Sequence, residues 1–452
     1  MLAIATPEEM RAIDAAALAT TSIETLIQRA GSAVARAALA MLGGSYGRRV
    51  VVLVGPGNNG ADGRVAARRL TDRGVQVRIV EANSLTVLPA GDLVIDAAFG
   101  TGFRGSWKAP EVGDARVLAV DIPSGINGLT GEAVGDVLSA ERTITFAALK
   151  PGLVFGPGAE LAGTIQIADV GLDCSHVRAN LVQHSDVAGW IPLRSGDAHK
   201  WRAATRVVAG STGMTGAAHL VSSAALRSGA GMVHLSTPGA GVGGSHEYVE
   251  RPVAATGWAV EVGSDLHRFQ ALVLGPGLGR DDATVASARE LIRGAPVPTV
   301  IDGDGLFGLA SNRENAAALL GERAWPAVLT PHDGEFGLLA GDPPGRDRIQ
   351  SVRQLAAHLG VVVLLKGPAT VIAEPSGQVL VVTSGDQRLA TAGTGDVLSG
   401  IIGSLLAQGV PAFHAAAGGA WIHGRAGMLG YQRGLIASDL LDLIPHVLES
   451  LL

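Results

Sequence analysis

The stretch ATAGTGDVLSG at residues 390–400 carries the chain's most telling combination of residue types. Small residues open an apolar helical run whose first N–H groups lack intrahelical partners, and an aspartate sits in the first turn. Such a turn can cradle an anion. Gly393, Thr394 and Gly395 would aim amides at a transferring phosphoryl group and offset the charge that develops on it. Asp396 is then placed to take a proton from a hydroxyl nucleophile. The plainer reading is an aspartate complementing the helix dipole, worth about 0.3–1 kcal/mol. The number of small residues around Asp396 favours the site.

A second set lies in the first 150 residues. In GPGNNGADGRVAARRL a buried strand runs into glycines and then a helix, and Asn58, Asn59 and Asp62 join the backbone amides there. The segment matches neither GxGxxG nor a P-loop. Two further strand ends supply Asp96, in DAAFGTGFRG, and Asp121 with Ser124, in VDIPSGINGLTGE. Any one aspartate reads equally well as a cap or turn residue. Three at strand ends make one site, because ligands collect beyond the carboxyl ends of a doubly wound sheet. Lys150, in LKPGL, could assist Asp121 but reads more simply as a surface lysine.

The elements that must hold these groups alternate throughout: short β-rich runs ending in glycine, then alanine-rich helical stretches. That is the pattern of an α/β protein with mainly parallel sheets. First-half strands are expected at VVVLVG, VQVRIVEA, DLVIDAAFG, VLAVDIPSG, TITFAAL and TIQIADVG. Residues 7–43 read as two helices and Ala61 to Asp72 as a third. The breaker-rich IPLRSGDAHKW, residues 191–201, marks the seam, giving domains at 1–192 and 197–452. Beyond it, strands are expected at RVVAG, ALVLGPGLG, PTVIDGDG, AVLTPH, VVVLLKG and ATVIAE, and helices around 217–228, 395–407 and 412–427.

A chain of 452 residues is too long for one core and comfortable for two. With 47% hydrophobic residues there is ample material to bury. A net charge of −6 and no basic run interleaved with aromatics argue against nucleic acid. Cys174, the single cysteine, permits no internal disulfide or thiolate cage and is expected to be a small buried residue. The N-terminal MLAIATPEEMRAID lacks a signal-peptide pattern, and no apolar run approaches 18 residues, so no membrane association and a cytoplasmic location are expected.

NNGADG, DAAFGTG and DIPSG, in this order, resemble the epimerase domain of the NAD(P)H-hydrate repair enzymes. The resemblance implies a Rossmann-like doubly wound domain. It implies a potassium ion held by Asn59, Asp96 and Ser124, a set suited to a hard cation. Asn58, Asn59, Gly60, Ala61 and Asp62, then Gly100, Thr101, Gly102, Phe103, Arg104, Gly105 and Ser106, and Asp121 would line the hydrate's pocket. Epimerisation breaks and remakes a bond at the hydroxyl-bearing carbon, and Asp121 is the expected acid-base group. The family usually has glycine at Ala61, where a Cβ requires negative φ, and more often glutamate at Gln28.

The GTGD helix start resembles the ribokinase-like superfamily. With AGSTGMTGAAHLVSSAALRSGAGMV, GPGLG, IDGDGL, LTPHDGEF and LKGPATVI it resembles the ADP/ATP-dependent NAD(P)H-hydrate dehydratases across most of the second half. This implies a ribokinase-like α/β domain in which Ala217, Gly277, His332 and Asp396 contact the hydrate. Lys366, Gly367, Pro368, Ala369, Thr370 and Gly395 would contact ADP or ATP, with magnesium bridging the phosphates. His332 reads equally well as a buried, hydrogen-bonded histidine. Asp302 and Asp304 could organise magnesium or water, and Asp386 stands where asparagine is commoner. A homo-oligomer is expected.

The implied function is bifunctional repair of damaged nicotinamide cofactors: epimerisation of the R and S hydrates, then ADP-dependent dehydration of the S form. A vitamin-precursor kinase of the hydroxyethylthiazole or hydroxymethylpyrimidine type shares GTGD but lacks the fused first half and TPHDGE. A first half reduced to binding is a third reading. A pyridine-nucleotide dehydrogenase is disfavoured by the absence of GxGxxG.

Overall fold

A computed structural model describes residues 1–243 and 247–452. The chain divides into two compact units, Leu2–Ala179 and Asn180–Leu452, the latter including Met1. The division falls earlier than the seam expected at 191–201. The helix His184–Trp190 belongs to the second unit, where Trp190 stacks on His414 at 4.5 Å and His184 meets Trp421 edge-on. Aromatic packing decides the boundary, and the breaker-rich stretch lies inside the second unit.

In the first unit six parallel strands lie in the order Gln76–Glu81, Arg49–Val54, Leu93–Ala97, Arg116–Val120, Arg142–Phe146, Thr164–Ala168. Each matches an expected run, three of them starting one residue earlier, at Arg49, Arg116 and Arg142. The central strands are almost wholly buried Val, Ile, Leu and Ala, as a sheet covered on both faces requires. The strand order reverses between Arg49–Val54 and Leu93–Ala97, so the crevice for a ligand lies beyond their carboxyl ends.

The helix after the first of these strands spans Asn58–Thr71, starting directly after Gly57 and three residues before the expected Ala61. Ala61 therefore has helical geometry and tolerates its Cβ; it is not among the positive-φ residues. Ile23–Leu42 packs on this helix so closely that a Cβ at Gly31 would lie 2.5 Å from the Cβ of Val65. Ser22 caps that long helix by accepting from Thr25 N, and Gly43 ends it at φ 67°. Cys174 is partly exposed, not buried. Its neighbourhood is a small satellite of apolar side chains that includes Ala5 and Met10.

The second unit's sheet runs Val379–Val382, Thr370–Ala373, Val362–Leu365, Ala327–Leu329, Thr299–Ile301, Ala271–Leu274, Ala204–Val208, Met232–Ser236, Val249–Glu250. It is parallel from Val362–Leu365 to Val249–Glu250, and Thr370–Ala373 runs antiparallel to both neighbours. Met232–Ser236 and Val379–Val382 were not among the expected strands. The helix Thr394–Ala407 is buried along most of its length. It presses into the sheet so tightly that a Cβ at Gly403 would meet Val273 Cγ2 at 2.2 Å. Among the described residues, no helix is long and apolar enough to cross a membrane.

Candidate functional site

At the first unit's switch point lies a cavity of about 650 Å³. Asn58, Asn59 and Asp62 reach it from the start of the Asn58–Thr71 helix. Gly100, Thr101, Gly102, Phe103 and Arg104 follow the Leu93–Ala97 strand, and Asp121 ends Arg116–Val120. Gly60, Ala61, Gly105 and Ser106 do not line it. Gly60 is pressed on the Gly55 carbonyl, which a Cβ would meet at 1.9 Å, and Ser106 Oγ faces Gly135. Gln28 lies off the cavity too, its amide oxygen accepting from Arg69 Nη2 at 3.4 Å.

Lys150 is not a surface residue. It is 2% exposed, and its Nζ lies 2.6 Å from Asp121 Oδ1 while donating to Thr145 Oγ1 at 2.9 Å and the Phe146 carbonyl at 3.2 Å. Asp121 itself adopts left-handed geometry, φ 67°, which turns its carboxylate off the strand end. Burial, then the charges of Asp121 and Asp14, push the Asp62 carboxyl up to about 8. Asp14 is raised as well, mainly by burial. The cavity thus holds a carboxyl that keeps its proton near neutrality and a carboxylate held by an ammonium. Asp14, Arg11 and Met10 come from the helix Pro7–Ala17, which carried no motif to single it out.

Behind the cavity, Asp96 is fully buried. It accepts from Ser124 N at 2.9 Å, Ser124 Oγ at 2.6 Å and Ala98 N at 3.3 Å. Burial nonetheless pushes its carboxyl above the ordinary range. Both side-chain polar atoms of Asn59 are buried without a hydrogen-bond partner. The orphaned Asn59 amide oxygen and the desolvated Asp96 carboxyl are each costly alone, and with Ser124 Oγ they are oxygen donors of the kind a hard cation takes.

In the second unit a cavity of about 500 Å³ is lined by Asp302, Gly303, His332, Glu335, Lys366, the 389–393 loop, Gly395 and Asp396. Gly393 caps the Thr394–Ala407 helix at φ 91°, and Asp396 follows in the first turn. Burial, then the charge of Asp302, push Asp396 up to about 7, although Lys366 opposes this. Lys366 Nζ lies 3.0 Å from Asp302 Oδ1 and 3.7 Å from Glu335 Oε2. Burial lowers this lysine, but the surrounding carboxylates outweigh it and leave Lys366 raised. Asp302 Oδ2 also accepts from Ser399 Oγ at 2.8 Å, fixing the carboxylate against the helix that carries Asp396.

His332 is exposed, 61% by side chain, and caps the helix Asp333–Ala340. Its Nδ1 accepts from Gly334 N at 3.0 Å, and its Nε2 lies 3.5 Å from Glu335 Oε2, both residues lining the cavity. Asp304 turns away to accept from Gly279 N at 2.8 Å and Arg280 Nε at 2.7 Å, so it is committed to the GPGLG loop. Asp386 grips Arg388, which donates onward to the Gly430 carbonyl at 3.0 Å. Gly277, at φ 65°, abuts Ala217, but neither lines this cavity. Of the expected nucleotide contacts, Lys366 and Gly395 line it; Gly367, Pro368, Ala369 and Thr370 do not. Ala369 is buried, and Gly367 faces Arg348, whose Nη2 would lie 3.1 Å from an added Cβ. Among the described residues no three His, Cys, Asp or Glu side chains converge to hold a metal.

These features define a two-part α/β enzyme, with titratable groups lining a cavity at the switch point of one unit and a raised carboxyl in the first turn of a glycine-capped helix in the other. The family described as NAD(P)H-hydrate dehydratase matches residues 205–447, and the YjeF-related protein N-terminus matches residues 23–90 and 80–152. The bifunctional NAD(P)H-hydrate repair enzyme Nnr of Moorella thermoacetica is 36% identical, covering 89% of this chain and 88% of its own. That of Mycobacterium tuberculosis is 38% identical over 91% of this chain and 90% of its own. A ribokinase-like superfamily protein from Enterococcus faecalis, 21% identical, shares the second unit's fold, with a TM-score of 0.52 over 60% of this chain and 96% of its own. The chain belongs to the bifunctional NAD(P)H-hydrate repair enzymes.

Proposed function

We propose that the first unit interconverts the R and S hydrates of NAD(P)H and that the second dehydrates the S hydrate at the expense of ADP. The observation that carries the second activity is the half-buried Asp396 in the first turn of the helix at the cradle, beside the Lys366–Asp302 pair. Hydroxide leaves a hydrated nicotinamide ring poorly. Asp396 takes the hydroxyl proton, and the oxygen attacks the terminal phosphorus of ADP, releasing AMP. Phosphate then leaves the ring carbon as a neighbouring ring proton is lost, restoring NAD(P)H.

Gly393 and Gly395 supply backbone donors for the phosphoryl group, the Thr394 amide being taken by the Thr391 carbonyl, and Lys366 adds positive charge beside them. Exposed His332 contacts the hydrate. Asp302, the carboxylate nearest Lys366, is the group on this chain that would face a magnesium ion brought by the nucleotide, which would neutralise phosphate charge.

In the first unit Asp121, held by Lys150, exchanges a proton with the hydrate's hydroxyl. Potassium at Asn59, Asp96 and Ser124 would supply fixed positive charge behind the cavity. Release of NADPH from its S hydrate, compared with ADP and with ATP, tests the reading. NADPH and AMP with ADP are expected. No NADPH with either nucleotide, or stable phosphorylation of a thiazole or pyrimidine alcohol, overturns it.

A further inference from the structure

The loop at residues 389–393 lines the second unit's cavity just ahead of the helix Thr394–Ala407, and the residue before it, Arg388, does not line the cavity. The short turn Gln387–Leu389 brings Arg388 against the end of the helix Ala412–Leu429. Only 8% of the arginine side chain is exposed. Its guanidinium grips Asp386 with two N–H groups, Nε to Oδ1 at 2.8 Å and Nη2 to Oδ2 at 2.5 Å. Its Nη1 donates to the Gly430 carbonyl at 3.0 Å and the Met428 carbonyl at 3.3 Å. The last carbonyls of a helix lack partners within it, and a cation there meets the negative end of the helix dipole. A planar fork can hold a carboxylate and these carbonyls at once, which a single ammonium cannot.

From Arg388 the bracing reaches the cavity through hydrogen bonds. Thr391 Oγ1 donates to the Arg388 carbonyl at 3.2 Å, and Thr394 Oγ1 shares its proton between the carbonyls of Leu389 at 2.8 Å and Thr391 at 2.9 Å. The Leu389 side chain is wedged between glycines: a Cβ at Gly385 would lie 2.8 Å from its Cδ1, and one at Gly427 would lie 2.7 Å from its Cδ2. Beyond Leu389 the loop exposes Ala390 and Ala392 and has little apolar contact of its own to fix it. It is therefore held from its ends, by Arg388 on one side and by the first residue of the helix that carries Asp396 on the other. Withdrawing a guanidinium–carboxylate pair from water is costly, and what it yields here is a fixed orientation of the segment that lines the cavity.

We propose that Arg388 is a positioning residue for dehydration: by clamping the Gln387–Leu389 turn to the end of the helix Ala412–Leu429, it holds the 389–393 loop, and through Thr394 the turn bearing Asp396, in register with the reacting groups. The guanidinium itself lies off the cavity. The proposal rests on the dehydration reading and deepens it.

The test compares R388A and R388K with the wild type in the full chain. R388A should lose roughly tenfold or more in dehydration kcat, with a smaller change in KM for ADP. R388K keeps the charge and can reach Asp386 or the Gly430 carbonyl but cannot fork between them, so its kcat should fall between those of R388A and the wild type. Backbone hydrogen exchange at residues 389–397 should quicken in the order wild type, R388K, R388A, a readout independent of turnover. Epimerisation should be unchanged in both variants. Wild-type kcat in folded R388A, or a loss carried by KM for ADP alone, overturns the proposal. If R388A does not fold, R388K decides: wild-type kcat and exchange in it overturn the proposal, and a loss of kcat with KM retained supports it. Should the wild-type protein show no dehydration at all, the functional reading fails, and the exchange series alone decides the role of Arg388.

Discussion

Lys150 Nζ lies 2.6 Å from Asp121 Oδ1, and the lysine is almost wholly buried. Its ammonium is the charge paired with Asp121 in a cavity that Asp14, Asp62, Arg11 and Arg104 also line. Lys150→Met should therefore leave Asp121 without its ion-pair partner, beside two further carboxyl groups. We expect epimerisation to fall by roughly two orders of magnitude at neutral pH. Stability should fall by on the order of 3–5 kcal/mol for removing one partner of a buried pair. Dehydration should persist. Equal epimerisation rates in variant and wild type would show that the pair has no part in proton transfer.

Asp62 gives a stability signature with a definite sign. Its folded-state carboxyl, about 8, stands above its ordinary value of 3.8, so the native state holds a proton that the unfolded state has lost across that window. Stability contributed by this proton is present at low pH and declines as pH rises towards about 8. In potassium-free buffer, Asp62→Asn should flatten the fall in stability between pH 5 and 8 by on the order of a few kcal/mol. Urea titrations at several pH values measure it, and parallel wild-type and variant slopes would count against the buried acid.

For dehydration, Asp396 must be ionised to accept the hydroxyl proton. With its carboxyl raised to about 7, kcat/KM should climb through that pH and level off above it. Asp396→Asn should reduce dehydration by roughly 10²–10⁴-fold while leaving epimerisation intact. A variant retaining wild-type turnover would assign the base elsewhere.

Potassium should stabilise the first unit by binding the native state alone. At about 100 times its dissociation constant the gain is about 2.7 kcal/mol, read as a rise in Tm. Asn59→Ala should remove most of that gain and weaken epimerisation, without altering ADP-dependent dehydration. A potassium-induced shift undiminished in Asn59→Ala would exclude Asn59 as a ligand.

The sequence by itself determined the parallel α/β units, because their central strands are unbroken apolar runs punctuated by glycine. It also determined the chemistry-bearing strand ends: Asn59, Asp96, Asp121 and Asp396 are all readable where a strand or glycine turn stops. What the sequence did not reveal depends on contacts between residues far apart in the chain. Lys150 reads as a surface lysine, since only folding brings Asp121, Thr145 and the Phe146 carbonyl around its ammonium. Asp304 and Asp302 look alike in IDGDG, yet the turn sends one to Arg280 and the other to Lys366. The boundary between units was masked by a loop rich in breakers, because packing of Trp190 on His414 outweighs local composition. Periodicity shows which residues share a helix face; only the tertiary structure decides which backbone that face is pressed against.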